Sequence, residues 1–194
     1  MSISYPLALP THTGIRGIEF RATNAVVPSR SPFTFASQVF AYPGQMWQAD
    51  VMLPPMKRSD AEKWVSWLIS LRGGYGRFLL SDPSNQSVRG TATSATVTGT
   101  AQSNSVTVTM TGTLLAGDMI QIGTGSDATL HKVLVDQDGD GTLEIWPALR
   151  KDRTDVELTL TAPRGVFRLA SNETAWSVNE ASIYGISFSA MEAV

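Results

Sequence analysis

Between Ser84 and Thr113 the chain changes character. "SNQSVRGTATSATVTGTAQSNSVTVTMTGT" is dominated by Ser, Thr, Gly, Ala and Val, and after Pro163 the more aromatic style of the first 83 residues returns. One composition set inside another constrains the fold more than any single motif, because the outer core must then be assembled from pieces far apart in sequence. The Thr and Val alternation in "ATVTGT" and "SVTVTM" fits exposed strands better than low-complexity disorder. Strand signals continue at "DMIQIG", "LHKVLV", "TLEIWP" and "VELTLT". Residues 90–162 are therefore expected to form a small all-β unit of five or six short strands, a barrel or a sandwich.

The flanking segments carry a different pattern. In "IRGIEFRATNAVV", Ile18, Phe20 and Ala22 alternate with Glu19, Arg21 and Thr23, which predicts a half-buried strand. A hairpin is expected over Phe33 to Leu53, turning at Pro43-Gly44 in "YPGQ" and placing Trp47, Ala49, Val51 and Leu53 on one face. "KRSDAEKWVSWLISLRGG" is the one convincing helix: Ser59 and Glu62 have capping-box spacing and Asp60 adds negative charge at the N-terminus. Ala61, Trp64, Val65, Leu68 and Ile69 form its apolar stripe, and Gly73 and Gly74 supply the stop. Strands follow in "YGRFLLSDP", at Phe167 and Leu169, and over Ile183 to Met191, where Tyr184, Ile186, Phe188 and Ala190 share a face. The expected fold is α+β and mostly β. A split β-sheet domain with one packed helix, residues 1–83 plus 163–194, carries the inserted small barrel or sandwich of residues 90–162.

Charged residues are only 16% of the 194, which is low for a globular surface and points to oligomer contacts as cover. A net charge of -2 supplies no overall field to attract nucleic acid. The absence of cysteine excludes disulfides, thiol catalysis and thiolate metal sites. No segment reads as a signal peptide or a membrane span, so a soluble protein made in the cytoplasm is expected.

"VDQDGDGTLEIWP" looks at first like a calcium loop, with Asp136, Asp138, Asp140 and Gly141 in EF-hand positions. Position 12 of such a loop would be Pro147, which has no side-chain oxygen, and the flanks read as strands. An acidic β-turn is the leading interpretation, with a weak calcium site at Asp136, Asp138 and Asp140 as the alternative. Neither His12 nor His131 has a serine nucleophile motif near it. "RGGYGR" follows a helix rather than opening one, so it is no phosphate cradle. Glu173 and Glu180 are expected to be solvated rather than an acid and base pair. No enzyme activity and no cofactor are expected. Arg16, Arg21, Arg30, Lys57, Arg58, Arg72 and Arg77 all lie in the split domain, either as a mixed surface or as a docking face.

The order of strand, long hairpin with "PGQMWQADVMLPPM", helix "SDAEKWVSWLISLRG", strand "GRFLLSDP", β insertion and closing strand resembles the distal tail proteins of long-tailed bacteriophages. That resemblance implies a structural virion protein without cofactor, assembled in the host cytoplasm as a homohexameric ring. The ring would join the tail tube protein to the hub or tip proteins, with no membrane and no specific nucleic acid as partner. Trp47, Arg72, Tyr75, Arg77 and Trp146 are the candidate oligomer or partner contacts. A carbohydrate- or receptor-binding β module, presenting Trp146 to a sugar face, is the alternative.

Overall fold

A computed structural model describes residues 3–11 and 14–194; His12 lies outside the described residues. The chain is mostly strand with one α-helix, arranged as an antiparallel sheet beside a closed barrel.

Two long strands, β1 (Gly17–Arg30) and β2 (Ser37–Met52), form a hairpin. A short β3 (Met56–Lys57) runs straight into helix α1 (Arg58–Ser70), and β4 (Phe78–Leu80) follows. After the barrel, β13 (Gly165–Leu169), β14 (Trp176–Val178) and β15 (Ile183–Glu192) complete the sheet in the order β1-β2-β15-β13-β4, with β3 and β14 also paired to β15. The returning segment thus inserts between strands from the first 80 residues. Trp47, Ala49, Val51 and Leu53 are all buried on one face, as their alternation requires. Helix α1 covers part of that face: the Trp67 ring lies 5.1 Å from Phe78 and 5.8 Å from Phe188.

Three local expectations are corrected. The "YPGQ" segment is no turn. It is a bulge inside β2, where pairing jumps from Asn24–Gln45 to Val26–Ala41, and the hairpin instead turns at Ser31–Ala36. Pro43 has no N–H to give to the ladder, and a side chain at Gly44 would press on Ala25 Cβ at 3.0 Å, so both residues suit a bulge. The helix begins two residues earlier than a capping box at Ser59 requires. Lys57 is the N-cap and makes no side-chain cap bond, because the preceding strand hands the chain directly into the helix. The stripe is also rotated: Trp67 is buried, donating its indole N–H to the Ala8 carbonyl at 2.9 Å, while Ile69 is 57% exposed. The N-terminal segment, which adds a strand-like contact from Leu7 to β4, covers the Trp67 side of the helix.

The barrel uses β5 (Ser94–Gly99), β6 (Ser105–Thr111), β8 (Met119–Ile122), β9 (Thr129–Val133), β11 (Gly141–Trp146) and β12 (Arg153–Thr159), closed in the order β11-β6-β5-β12-β8-β9. The remaining pair, β7 (Thr113–Leu114) and β10 (Gln137–Asp138), forms a small two-stranded ladder of its own. The barrel has its own apolar core, in which Val97, Val108, Leu114, Ile120, Ile122, Leu143 and Ile145 are all almost fully enclosed. Closure is what makes these short Thr-rich strands viable, since it removes their edges. Among the described residues no helix is long and apolar enough to cross a membrane.

Candidate assembly surface

The sheet and the barrel are locked together at the root of the β1–β2 hairpin. Trp47 lies in the sheet's buried face, donates its indole N–H to the Leu130 carbonyl of β9 at 2.9 Å, and meets the Trp146 ring edge-on at 4.4 Å. Trp146 in turn donates to Asn24 Oδ1 at 2.8 Å. Gln45, opposite Asn24, accepts the Asn104 amide at 3.0 Å and the Ala148 backbone N–H at 2.7 Å. Beside them Arg150 grips Glu192, the last residue of β15, through Nε at 3.2 Å and Nη2 at 2.5 Å, and Glu192 also accepts the Trp47 backbone N–H at 3.2 Å. With Glu192 only 4% exposed, this is a buried, geometrically matched ion pair that would be costly to break from one side.

Beyond this clamp the hairpin leaves the body. Every residue of β1 from Arg21 and of β2 up to Gly44 is exposed. The arm past the bulge is nevertheless apolar: Val26, Val27, Val39, Phe40 and Tyr42 are each at least 46% exposed, and at the tip Phe33 and Phe35 reach 92% and 66%. The tip has a defined shape. Ser31 Oγ accepts the backbone N–H groups of Phe33 and Thr34, both at 3.3 Å, and the Ser31 carbonyl accepts that of Phe35 at 3.0 Å. The Arg30 guanidinium sits 4.6 Å from the centre of the Phe35 ring. Phe35 is held at φ +59, a left-handed backbone that a bulky residue adopts at a cost of roughly 1–3 kcal/mol. Among the described residues β1 pairs with β2 alone, so its outer edge is open, whereas the far edge at β4 is covered by Leu7.

The contact candidates divide accordingly. Trp47 is a correction: it is 5% exposed and its ring is enclosed by Phe20, Trp146 and the barrel, which leaves no surface for another molecule. Trp146 is half-buried in the same joint. Arg72, Tyr75 and Arg77 are each exposed on the segment between α1 and β4, with Tyr75 75% exposed and edge-on to Tyr5 at 6.1 Å. Among the described residues neither arginine has an ion-pair partner. Arg72, not a glycine, is the first left-handed residue after the helix, and Gly73 at φ +67 follows it, packed against Asn172 too closely for any Cβ. The arm-tip phenylalanines, Phe33 and Phe35, fall where the sequence pattern predicts the start of a strand, and the structure puts them in the turn instead.

The acidic stretch is used internally. Asp136 accepts the Ala116 backbone N–H at 2.6 Å and Asp140 that of Met110 at 2.8 Å, while the Gln137 side chain bridges the carbonyls of residues 138 to 140. Gly139 takes a left-handed turn conformation at φ +64, and strands flank the loop on both sides. Among the described residues no three His, Cys, Asp or Glu side chains converge as metal ligands would.

His131 is fully enclosed on the face of β9 opposite Leu130, with Nδ1 2.7 Å from the Pro147 carbonyl and Nε2 2.8 Å from Thr129 Oγ1. A carbonyl can only accept, so Nδ1 carries the proton; in the neutral ring Nε2 is then an acceptor and shares the single Thr129 hydroxyl proton with the Ile122 carbonyl, 3.1 Å from Oγ1. Burial lowers its pKa to about 4, the Pro147 bond opposes that shift, and the nearby cations Arg150 and Arg153 reinforce it. The imidazole is a neutral structural strut. Asp118, whose side chain is inaccessible, is raised by burial, but the backbone N–H groups of Leu115, Arg89 and Gly90 and the Arg89 guanidinium outweigh this and leave its pKa lowered. It ties the strand entering the barrel to the β7–β8 turn. No protein-family model matches this chain, and no curated protein matches it in sequence.

Proposed function

We propose that this chain is a structural subunit that assembles with copies of itself, and that the assembly is the distal tail ring of a long-tailed bacteriophage, joining the tail tube to the tip proteins. The observation that carries the self-assembly is the hairpin arm: its root is clamped to a rigid sheet-and-barrel body while its outer half holds apolar side chains in water. Seven of them leave roughly 700 Å² exposed, taking about 150–250 Å² for a whole aromatic side chain. Free monomers rarely carry apolar patches above roughly 300–600 Å², and one side of a stable interface covers about 800 Å². The open β1 edge and the low charge content favour the same conclusion. The tail-tip assignment rests on the order of elements, namely long hairpin, capping helix, inserted barrel and closing strand. In it the protein is a scaffold rather than a catalyst, and Arg72, Tyr75 and Arg77 form a second contact face for a neighbouring tail protein.

Light scattering on the purified protein, with two-dimensional class averages of the same material, tests this. Closed rings of uniform copy number are expected, and antibodies to the chain should label the tail tip of intact virions. A protein that stays monomeric at high concentration would overturn the self-assembly, and labelling anywhere else on the particle would overturn the tail-tip assignment.

A further inference from the structure

The arm rises directly beside an open cleft of about 500 Å³ between its own root and the barrel rim, walled by Ala25, Pro43, Met46, Ala148 and Leu149, with Gln102 at its mouth. We infer that this cleft is the socket for the arm tip of a second copy, which inserts Phe33 and Phe35 into it. The inference rests on the self-assembly proposed above and adds where the arm goes.

Three observations lead there. The tip cannot fold back into its own cleft, because the five paired residues Val26 to Arg30 stand between the bulge and the turn, about 17 Å of stiff hairpin at roughly 3.3 Å per residue. The exposed lining of the cleft is more apolar than polar, with Thr23, Asn24, Gln45, Gln102 and Arg150 interspersed, and its volume falls within the roughly 300–1,000 Å³ of sites that enclose a bound group, which suits two phenyl rings. The bulge residues Pro43 and Gly44 also line the cleft, so one irregularity stands both at the base of the projecting element and in the wall of its receptor. Burying the arm would also bring the contact to the size that a stable interface requires. Tip and socket are different surfaces of one chain, so the contact is head-to-tail and propagates from copy to copy. Such a contact builds a ring where the rotation closes, unlike a twofold pairing of arms, which stops at two.

Complementation in mixtures tests this. Phe33→Ser removes the tip and keeps the socket; Gln102→Arg sets a bulky cation over the socket and keeps the tip. Both positions are exposed, so melting temperatures should match wild type within a few degrees, and this is measured first. By sedimentation velocity each variant alone is expected to fall to the monomer mass. An equimolar mixture should recover a dimer and nothing larger, because it contains one intact tip–socket contact per pair. Wild-type assembly with unimpaired Gln102→Arg assembly would overturn the socket while leaving self-assembly intact, and would point to arm-on-arm pairing or to the β1 edge. Assembly of wild type that survives both variants would likewise overturn it. A monomeric wild type would overturn this inference and the proposed ring together.

Discussion

Acidification gives the most quantitative handle on the barrel. His131 is neutral and enclosed in the fold, with a pKa of about 4, against 6.5 for a free histidine. The unfolded chain therefore binds a proton at this residue through the pH range from 6.5 down to 4, where the folded chain does not. A lowered folded pKa means that the stabilisation is complete above pH 6.5 and drains away as pH falls toward 4. Over the whole interval the loss is on the order of 3 kcal/mol at about 1.4 kcal/mol per pH unit, and between pH 7 and pH 5 about 2 kcal/mol. For a chain of this size that corresponds to a drop of roughly 4–8 °C in melting temperature. Asp82, Asp118 and Asp127, whose pKa values are lowered below 3.8, lose their contributions mainly under pH 3.8 and leave the histidine window clear. The assay is calorimetric melting at half-unit pH steps on wild type and His131→Gln, the variant cancelling whatever His12 contributes. The wild-type curve should fall more steeply than the variant's between pH 6.5 and 4.5. Parallel curves would refute the assignment of a buried neutral imidazole.

Glu192→Gln, which strands Arg150 without its carboxylate, should cost about 3–5 kcal/mol in urea unfolding, whereas Glu19→Gln on the exposed face should change stability by less than about 0.5 kcal/mol. Phe35→Gly should leave the monomer's stability unchanged or slightly raised, because glycine tolerates the φ of +59, yet weaken assembly measured by sedimentation. Asp136→Ala with Asp140→Ala should lower stability by roughly 1.5–3 kcal/mol per backbone bond lost, while replacement of Asp136, Asp138 and Asp140 by Asn, which keeps an acceptor oxygen, should cost distinctly less. Melting temperature should be the same in chelator and in millimolar calcium; a calcium-dependent rise abolished by the triple Asn variant would restore the metal interpretation.

Periodicity carried most of the architecture. The two-residue alternation at Trp47, Ala49, Val51 and Leu53, and again at Ile186 and Ala190, is a property of each strand alone and survives unchanged in the sheet. The composition change at Ser84 likewise marked the run of strands that closes into the barrel. The errors lie where two local solutions were nearly equivalent. Pro-Gly suits a turn and a bulge equally well, and the choice between Pro43-Gly44 and Ser31–Ala36 depends on which strand residues find partners. The helix could bury Ile69 or Trp67, and the N-terminal segment decided for Trp67 by covering it.

What the sequence determined by itself was the type of each element and the inward face of most strands, because backbone periodicity and side-chain hydrophobicity act between near neighbours. Pairings across long separations were decided only by the tertiary structure: Glu192 with Arg150, Gln45 with Asn104 and Ala148, Trp47 with Trp146. Each of these polar and aromatic groups could equally have faced water, and nothing within a few residues of any of them encodes its partner. The projecting arm belongs to the same class, since an apolar strand is indistinguishable in sequence from a buried one until the rest of the chain has closed around everything else and left Phe33 outside.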